Sequence, residues 1–140
     1  MKVEELSGVG PVNAVKLRQA AQITTPSELL DRCATIRGRR DIKERTGIKK
    51  KVLLDWVKTA DLFRIKGLGP HFSELLKQTG VSTVRELRYR EGNELLQKMK
   101  ALNEERRVTR RQPTLDLVRH WIDQSRRLVD VVEFPSNFCK

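Results

Sequence analysis

The stretch Leu6-Ser7-Gly8-Val9-Gly10-Pro11 returns as Ile65-Lys66-Gly67-Leu68-Gly69-Pro70, and the reading of this pair decides the fold. Each copy is an apolar residue, a polar one, then Gly-apolar-Gly-Pro ahead of a helical pattern. The first glycine takes positive φ without steric cost, so an incoming helix can stop there. Proline is excluded from a helix interior but suits its first position, where the missing N–H would be unpaired anyway. Val9 or Leu68 plugs the turn into the core. The expected result is a tight helix–turn–helix corner with bare amides at a helix N-terminus, a place suited to a phosphate oxygen.

The likeness of the two copies extends outward. Gly8, Gly10, Pro11 and Leu17 map onto Gly67, Gly69, Pro70 and Leu76 at an offset of 59 positions. After one deletion, Ile23, Thr25, Glu28 and Leu29 map onto Val81, Thr83, Glu86 and Leu87 at an offset of 58. Thr25-x-x-Glu28 and Thr83-x-x-Glu86 are capping-box patterns, in which threonine and glutamate each satisfy a free backbone amide. Farther on, Trp56-Val57 aligns with Trp121-Ile122. The expected organisation is therefore residues 1–61 and 62–130 as two versions of one unit, with 131–140 as a tail.

In the first half the pattern predicts five short helices. Lys2–Leu6 enters the first corner and Pro11–Ala21 leaves it; a connector runs from the Thr25 cap to about Ile36. Asp41–Arg45 meets the turn Thr46-Gly47-Ile48, and Lys50–Ala60 follows, with Leu53, Val57 and Ala60 at helical spacing and Trp56 alongside. The second half predicts Leu62–Lys66, Pro70–Thr79 with Gly80 as its C-cap, Thr83–Arg90 and Asn93–Leu102. Asn103–Pro113 replaces the short Thr-Gly-Ile turn, so a fourth corner is either enlarged or lost. Thr114 then caps a last helix carrying Leu117, Val118, Trp121, Ile122 and Leu128 as its apolar stripe. The tail, with Pro135, Phe134 and Phe138, reads as extended and packs on the helices or on a partner. The predicted class is all-α, with about ten short helices.

Gly8-Val9-Gly10 and Gly67-Leu68-Gly69 stand where the helix-hairpin-helix family has its Gly-apolar-Gly hairpin, and the chain resembles that family. Over Leu6 to about Leu128 it also resembles a bacterial family of tandem helix-hairpin-helix proteins classed as a domain of unknown function. Thr46-Gly47-Ile48, Leu53-Leu54-Asp55-Trp56, Ala60-Asp61-Leu62 and Trp121-Ile122 carry that second likeness. The resemblance implies two double helix-hairpin-helix units that bind nucleic-acid backbone, double-stranded DNA above RNA, without reading much sequence. It places the donors at the amides of Gly8, Val9 and Gly10, and of Gly67, Leu68 and Gly69. It also implies that hairpin carbonyls hold a monovalent cation bridging to phosphate. No other cofactor is expected.

Charge points the same way. The chain has 29 Lys plus Arg against 18 Asp plus Glu, a net charge of +11, which suits a polyanionic partner. From Arg37 to Lys51 there are eight bases, including Arg37, Arg39, Arg40, Lys49, Lys50 and Lys51, against only Asp41 and Glu44. Three lysines opening a helix oppose its macrodipole, at about 0.3–1 kcal/mol each. A phosphate would reverse that sign. Arg106, Arg107, Arg110 and Arg111 stand in the corresponding place in the second half, and Lys16 lies a turn and a half past the first corner. His71, Phe72, Ser73 and Glu74 follow the second corner, with Lys66 the only nearby base.

Other chemistry is poorly supplied. Cys33 and Cys139 lack a CxxC partner, and with only His71 and His120 a zinc site is not expected. There is no nucleophile–base–orienter set, no carboxylate cluster for metal-assisted phosphoryl transfer and no Walker A loop, so no enzyme is expected. Trp56 and Trp121 sit among aliphatics and read as core, and Phe63, Phe72 and Tyr89 are too scattered for a base-stacking platform. The start lacks a signal-peptide pattern and no stretch reaches the length of a membrane span, so a cytoplasmic location is expected. The alternative function is a protein–protein adaptor docking on an acidic protein surface or a larger assembly, with the Asn103–Pro113 loop and the tail as its contacts.

Overall fold

In the computed structural model, which describes residues 2–135, the two threonine caps are formed as their spacing predicts. Thr25 Oγ1 accepts from the Glu28 amide and Thr83 Oγ1 from the Glu86 amide, both at 3.1 Å. The Glu86 carboxylate returns the bond one residue earlier, to the Ser82 amide at 3.1 Å. These caps start α2 (Pro26–Cys33) and α6 (Val84–Arg88). Before them run α1 (Gly10–Ala21) and α5 (Pro70–Gln78), and after them α3 (Ile36–Thr46), α4 (Lys50–Leu62), α7 (Gly92–Arg106) and α8 (Leu115–Arg127). The described residues hold these eight α-helices, one short 3-10 turn at Val3–Glu5 and no strand. The protein is all-α.

Several boundaries differ from the sequence expectation. Within Lys2–Leu6 only the 3-10 turn Val3–Glu5 forms, and of the expected Leu62–Lys66 helix Leu62 ends α4 while residues 63–66 are turns and a bend. The connector ends at Cys33 because Thr35 caps a new helix, its hydroxyl accepting from the Gly38 amide at 2.9 Å. That helix, α3, therefore begins at Ile36, five residues before the expected Asp41. The fourth corner is enlarged and ordered. Arg107 turns left-handed at φ +50, and the buried Asn103 amide brackets Thr109, accepting from its N–H at 3.0 Å and donating to its carbonyl at 3.1 Å.

Gly80 closes α5 as expected. It lies at φ +99, its amide donates to the Lys77 carbonyl and the Val81 amide reaches back to that of Leu76, the paired bonds of a Schellman ending. Its counterpart Gln22 closes α1 in the same left-handed region at φ +56, without the glycine that this conformation favours.

The chain forms two compact units. One comprises residues 1–61 with 131–140, the other residues 62–130. In the first, α3 packs on α1 and α2, and Leu17, Ile23, Leu29, Ile42, Leu53 and Val57 are fully enclosed. In the second, α8 packs on α6 and α7 while α5 packs on α7. Its core gathers aliphatic side chains from every helix, with Ile65, Leu75, Leu76 and Leu87 among those around the fully buried Trp121. Phe72 tilts against the Trp121 ring at 5.1 Å. Both tryptophans are core residues, as their spacing suggests.

Candidate nucleic-acid interface

Each glycine corner stands on a tryptophan. A Cβ added at Gly8 would lie 3.5 Å from Trp56 Nε1, and one added at Gly67 would lie 3.7 Å from Trp121 Nε1. Gly8 (φ +88) and Gly67 (φ +86) are exposed and left-handed, so only glycine makes these turns without strain. Val9 and Leu68 plug the core at 2% and 4% exposure. The second glycines diverge. Gly10 is also left-handed (φ +69), whereas Gly69 is extended (φ −86, ψ −178) and caps α5.

The donor set is smaller than the resemblance implies. The Val9 amide donates to Leu6 O at 3.2 Å and the Leu68 amide to Ile65 O at 3.3 Å, closing each turn on itself. Those two amides are therefore engaged, which corrects their expected role. Among the described residues, the amides of Gly8 and Gly10, and of Gly67 and Gly69, donate to no protein acceptor, and no carboxylate seals either corner. The second is further held by α8, where Gln124 accepts from the Lys66 amide at 2.8 Å and donates to the Lys66 carbonyl at 3.0 Å.

The basic run divides sharply. Arg37 and Arg40 on α3, and Lys49, Lys50 and Lys51 at the start of α4, are all exposed, with no ion-pair partner among the described residues. Lys49 immediately precedes α4, seven residues before Trp56. Lys16 is exposed on α1.

Arg39 departs from expectation. It is 2% exposed, and its guanidinium donates to the carbonyls of Cys33 (2.9 Å), Ala34 (3.0 Å) and Glu133. Burial pulls its pKa below the usual arginine value, with the Cys33 thiol and Glu133 opposing. No surface remains with which it could meet a phosphate, so its expected contact is withdrawn. The same corner fixes the tail. The Glu133 amide donates to Ala34 O at 2.7 Å, and the Glu133 carboxylate accepts from the Ile36 amide at 3.1 Å. Phe134 lies under Lys58 Nζ at 5.8 Å from the ring centre. An adaptor would find Glu133 and Phe134 already engaged; Phe138 and Cys139 lie outside the described residues.

In the second unit Arg106 is exposed but donates to Gln78 at 2.9 Å, a structural bond, and Arg107 forms the left-handed turn. Arg107 and Arg110 border a polar hollow of about 420 Å³ with Asn103, Glu104, Thr109 and Gln112, and Arg111 is exposed beside them. The sequence reading missed a second arginine group. Arg90, Arg119 and Arg126 line a hollow of about 290 Å³ with Glu91 and Asp123. The i, i+7 spacing of Arg119 and Arg126 on one helix was the available signal. Three guanidinium groups against two carboxylates leave that hollow weakly basic.

Among the described residues, no group of three His, Cys, Asp or Glu side chains could hold a metal ion, and no helix is long and apolar enough to cross a membrane. Neither a curated protein nor a solved structure matches the chain. The family model described as Domain of unknown function (DUF4332) matches residues 7–128, and the chain belongs to that family.

Proposed function

We propose that this is a non-enzymatic protein that binds nucleic-acid backbone, double-stranded DNA above RNA, with little regard to sequence. Its glycine corners act as helix-hairpin-helix turns, and affinity comes from amides and bases acting on phosphates. One observation carries the reading. In the first unit a corner with two amides that have no acceptor among the described residues rests on Trp56, and the same helix opens with three exposed lysines. Folding stability does not explain cations at a helix N-terminus. A phosphate at that end interacts favourably with both the helix dipole and the ammonium groups.

The proposed footprint is Gly8, Gly10, Lys16, Arg37, Arg40, Lys49, Lys50 and Lys51 in the first unit. Arg107, Arg110 and Arg111 serve the second, with the Gly67 corner; Arg106 is an auxiliary contact limited by its bond to Gln78. The protein's location is proposed as cytoplasmic.

Titration of a labelled random-sequence duplex at increasing salt tests this. The logarithm of affinity should fall linearly with log salt at about −0.9 per phosphate neutralised, so on the order of five phosphates gives a slope near −4.5. Duplexes of unrelated sequence should bind alike. Reversing Lys49, Lys50 and Lys51 together to Glu should abolish most of the binding without unfolding the protein. Absence of binding at low salt, or a flat salt response, would remove the proposal.

A further inference from the structure

The tail in the first unit occupies a groove that the second unit also has. The Glu133 carboxylate accepts from the amide of Ile36, the first residue of α3, and Phe134 lies under Lys58 of α4. The repeat gives both positions a counterpart. α7 packs on α5 as α3 packs on α1, so Gly92, the first residue of α7, stands where Ile36 does. Aligning Trp121 with Trp56 sets Asp123 of α8 where Lys58 stands on α4. Gly92 and Asp123 both line the hollow of about 290 Å³ between the start of α7 and the side of α8. The place that the tail fills in one unit is a hollow in the other.

The walls of this hollow suit an anion. The Gly92 amide has no protein acceptor among the described residues, whereas its counterpart at Ile36 has the Glu133 carboxylate. Arg119 lies across the start of α7, since a Cβ at Gly92 would stand 3.3 Å from its Cγ and 3.9 Å from its Nε. A guanidinium beside the positive end of a helix dipole favours a negative group between them. Neither Arg119 nor Arg90 has an ion-pair partner among the described residues. The two carboxylates of the hollow are engaged elsewhere: Glu91 caps α7 through the Glu94 amide at 2.8 Å, and Asp123 stands 4.0 Å from Arg126. Ile122, 4% exposed, gives the hollow an apolar floor.

We propose that this hollow docks an extended segment of a partner protein in which one carboxylate residue is followed by an aromatic one. The carboxylate takes the Gly92 amide and the Arg90 and Arg119 guanidinium groups, as Glu133 takes the Ile36 amide. The aromatic ring lies over Ile122 against Arg126, as Phe134 lies under Lys58. Three arginines against two acids suit a single carboxylate, whereas a polyanion would bring further phosphates against Glu91 and Asp123. The tail of a second copy is not the occupant, because its own first unit holds it at a far higher effective concentration. Arg39, the fourth residue of α3, locks the tail in place, but the fourth residue of α7 is the apolar Leu95. The second site therefore lacks the lock and suits a reversible partner. The inference goes beyond the nucleic-acid reading and uses none of the bases assigned to it.

The test titrates the ¹⁵N-labelled full-length protein with a synthetic peptide of the sequence of residues 129–136, Val-Asp-Val-Val-Glu-Phe-Pro-Ser. The Gly92 amide reports on the second unit and the Ile36 amide on the first. The peptide is expected to move the Gly92 amide and the Arg119 Nε–H signal, while Ile36, held by its own tail, stays still. A peptide carrying Glu133→Gln or Phe134→Ala should bind about tenfold more weakly. Arg119→Gln with Arg126→Gln in the protein, its fold checked by circular dichroism, should weaken binding to a similar degree. If only Ile36 moves, the peptide displaces the tail and the inference is overturned. If a random duplex moves Gly92 as strongly as the peptide does, the hollow is a general anion site and the partner assignment falls. If Gly92 moves with protein concentration and no peptide, a second copy's tail is the occupant and the assignment falls likewise. No movement of Gly92 under any titrant overturns the inference outright.

Discussion

Replacing Arg39 separates a buried clasp from a surface contact. Its guanidinium donates to the carbonyls of Cys33, Ala34 and Glu133. In Arg39→Ala the Ala34 carbonyl keeps the Glu133 amide, but the carbonyls of Cys33 and Glu133 each lose this donor. Each under-satisfied acceptor costs about 1–3 kcal/mol, partly offset because no cation need be taken out of water in the variant. The net loss expected is about 3 kcal/mol, or more than about 10 °C in Tm for a unit of this size. Arg39→Met keeps the aliphatic packing without the donors, so it should recover only a small part. Arg40→Ala, at the exposed neighbour, should stay within about 0.5 kcal/mol of the parent.

Urea unfolding followed by helical circular dichroism gives the stabilities, and the duplex titration gives affinity on the same samples. Deleting residues 131–140 should destabilise to a similar degree, and the deletion and Arg39→Ala should be strongly non-additive, because they remove one shared set of bonds. Below its unfolding range, Arg39→Ala should bind DNA nearly as well as the parent, whereas Arg37→Ala and Arg40→Ala should weaken it. If Arg39→Ala is as stable as Arg40→Ala and loses DNA affinity instead, the clasp is wrong and Arg39 belongs to the surface.

Three further outcomes follow from local geometry. Gln22→Gly should stabilise the first unit by about 0.5–1 kcal/mol in the same urea assay, because relief of left-handed strain at φ +56 exceeds glycine's entropic cost; a loss of stability would refute it. Gly38→Ala should destabilise by about 1–3 kcal/mol, since its Cβ would lie 2.1 Å from the Arg32 carbonyl oxygen and α3 would have to move off α2. A neutral result would show that this helix pair gives way freely. Glu28 and Glu91 have carboxyl pKa values below the ordinary 4.5, the first through the Thr24 and Thr25 hydroxyls and the second through the Glu94 and Asn93 amides. The folded state thus binds fewer protons, so their contribution is full above the ordinary value and is lost as pH falls through the depressed ones. Urea midpoints should drop in acid, and Glu28→Gln with Glu91→Gln should flatten that drop.

The readable features of the chain are those whose causes lie within a few residues. A threonine three places before a glutamate specifies a cap, and Gly8, Gly67 and Gly80 take left-handed conformations that their neighbours require. Trp56 and Trp121 announce their burial by helical spacing. Thr35 is an equally local cap, but the charged run after it hides the apolar period of α3. The candidate site is legible to the same extent: its glycines and most of its exposed bases can be named, but not which amides the turns use up or which arginine is withdrawn.

Arg37, Arg39 and Arg40 are indistinguishable in the sequence, since all three are cations in one basic run. Tertiary structure separates them, because a carbonyl 94 positions away completes the cage around Arg39 while its neighbours remain in water. The indole of Trp121 likewise comes to face Gly67 only once α8 packs beneath the corner. Local sequence sets backbone dihedrals and periodicity, whereas desolvation and donor–acceptor pairing depend on which distant groups meet. Helices, caps and corners therefore belong to the sequence, and the distinction between a free charge and a buried one belongs to the fold.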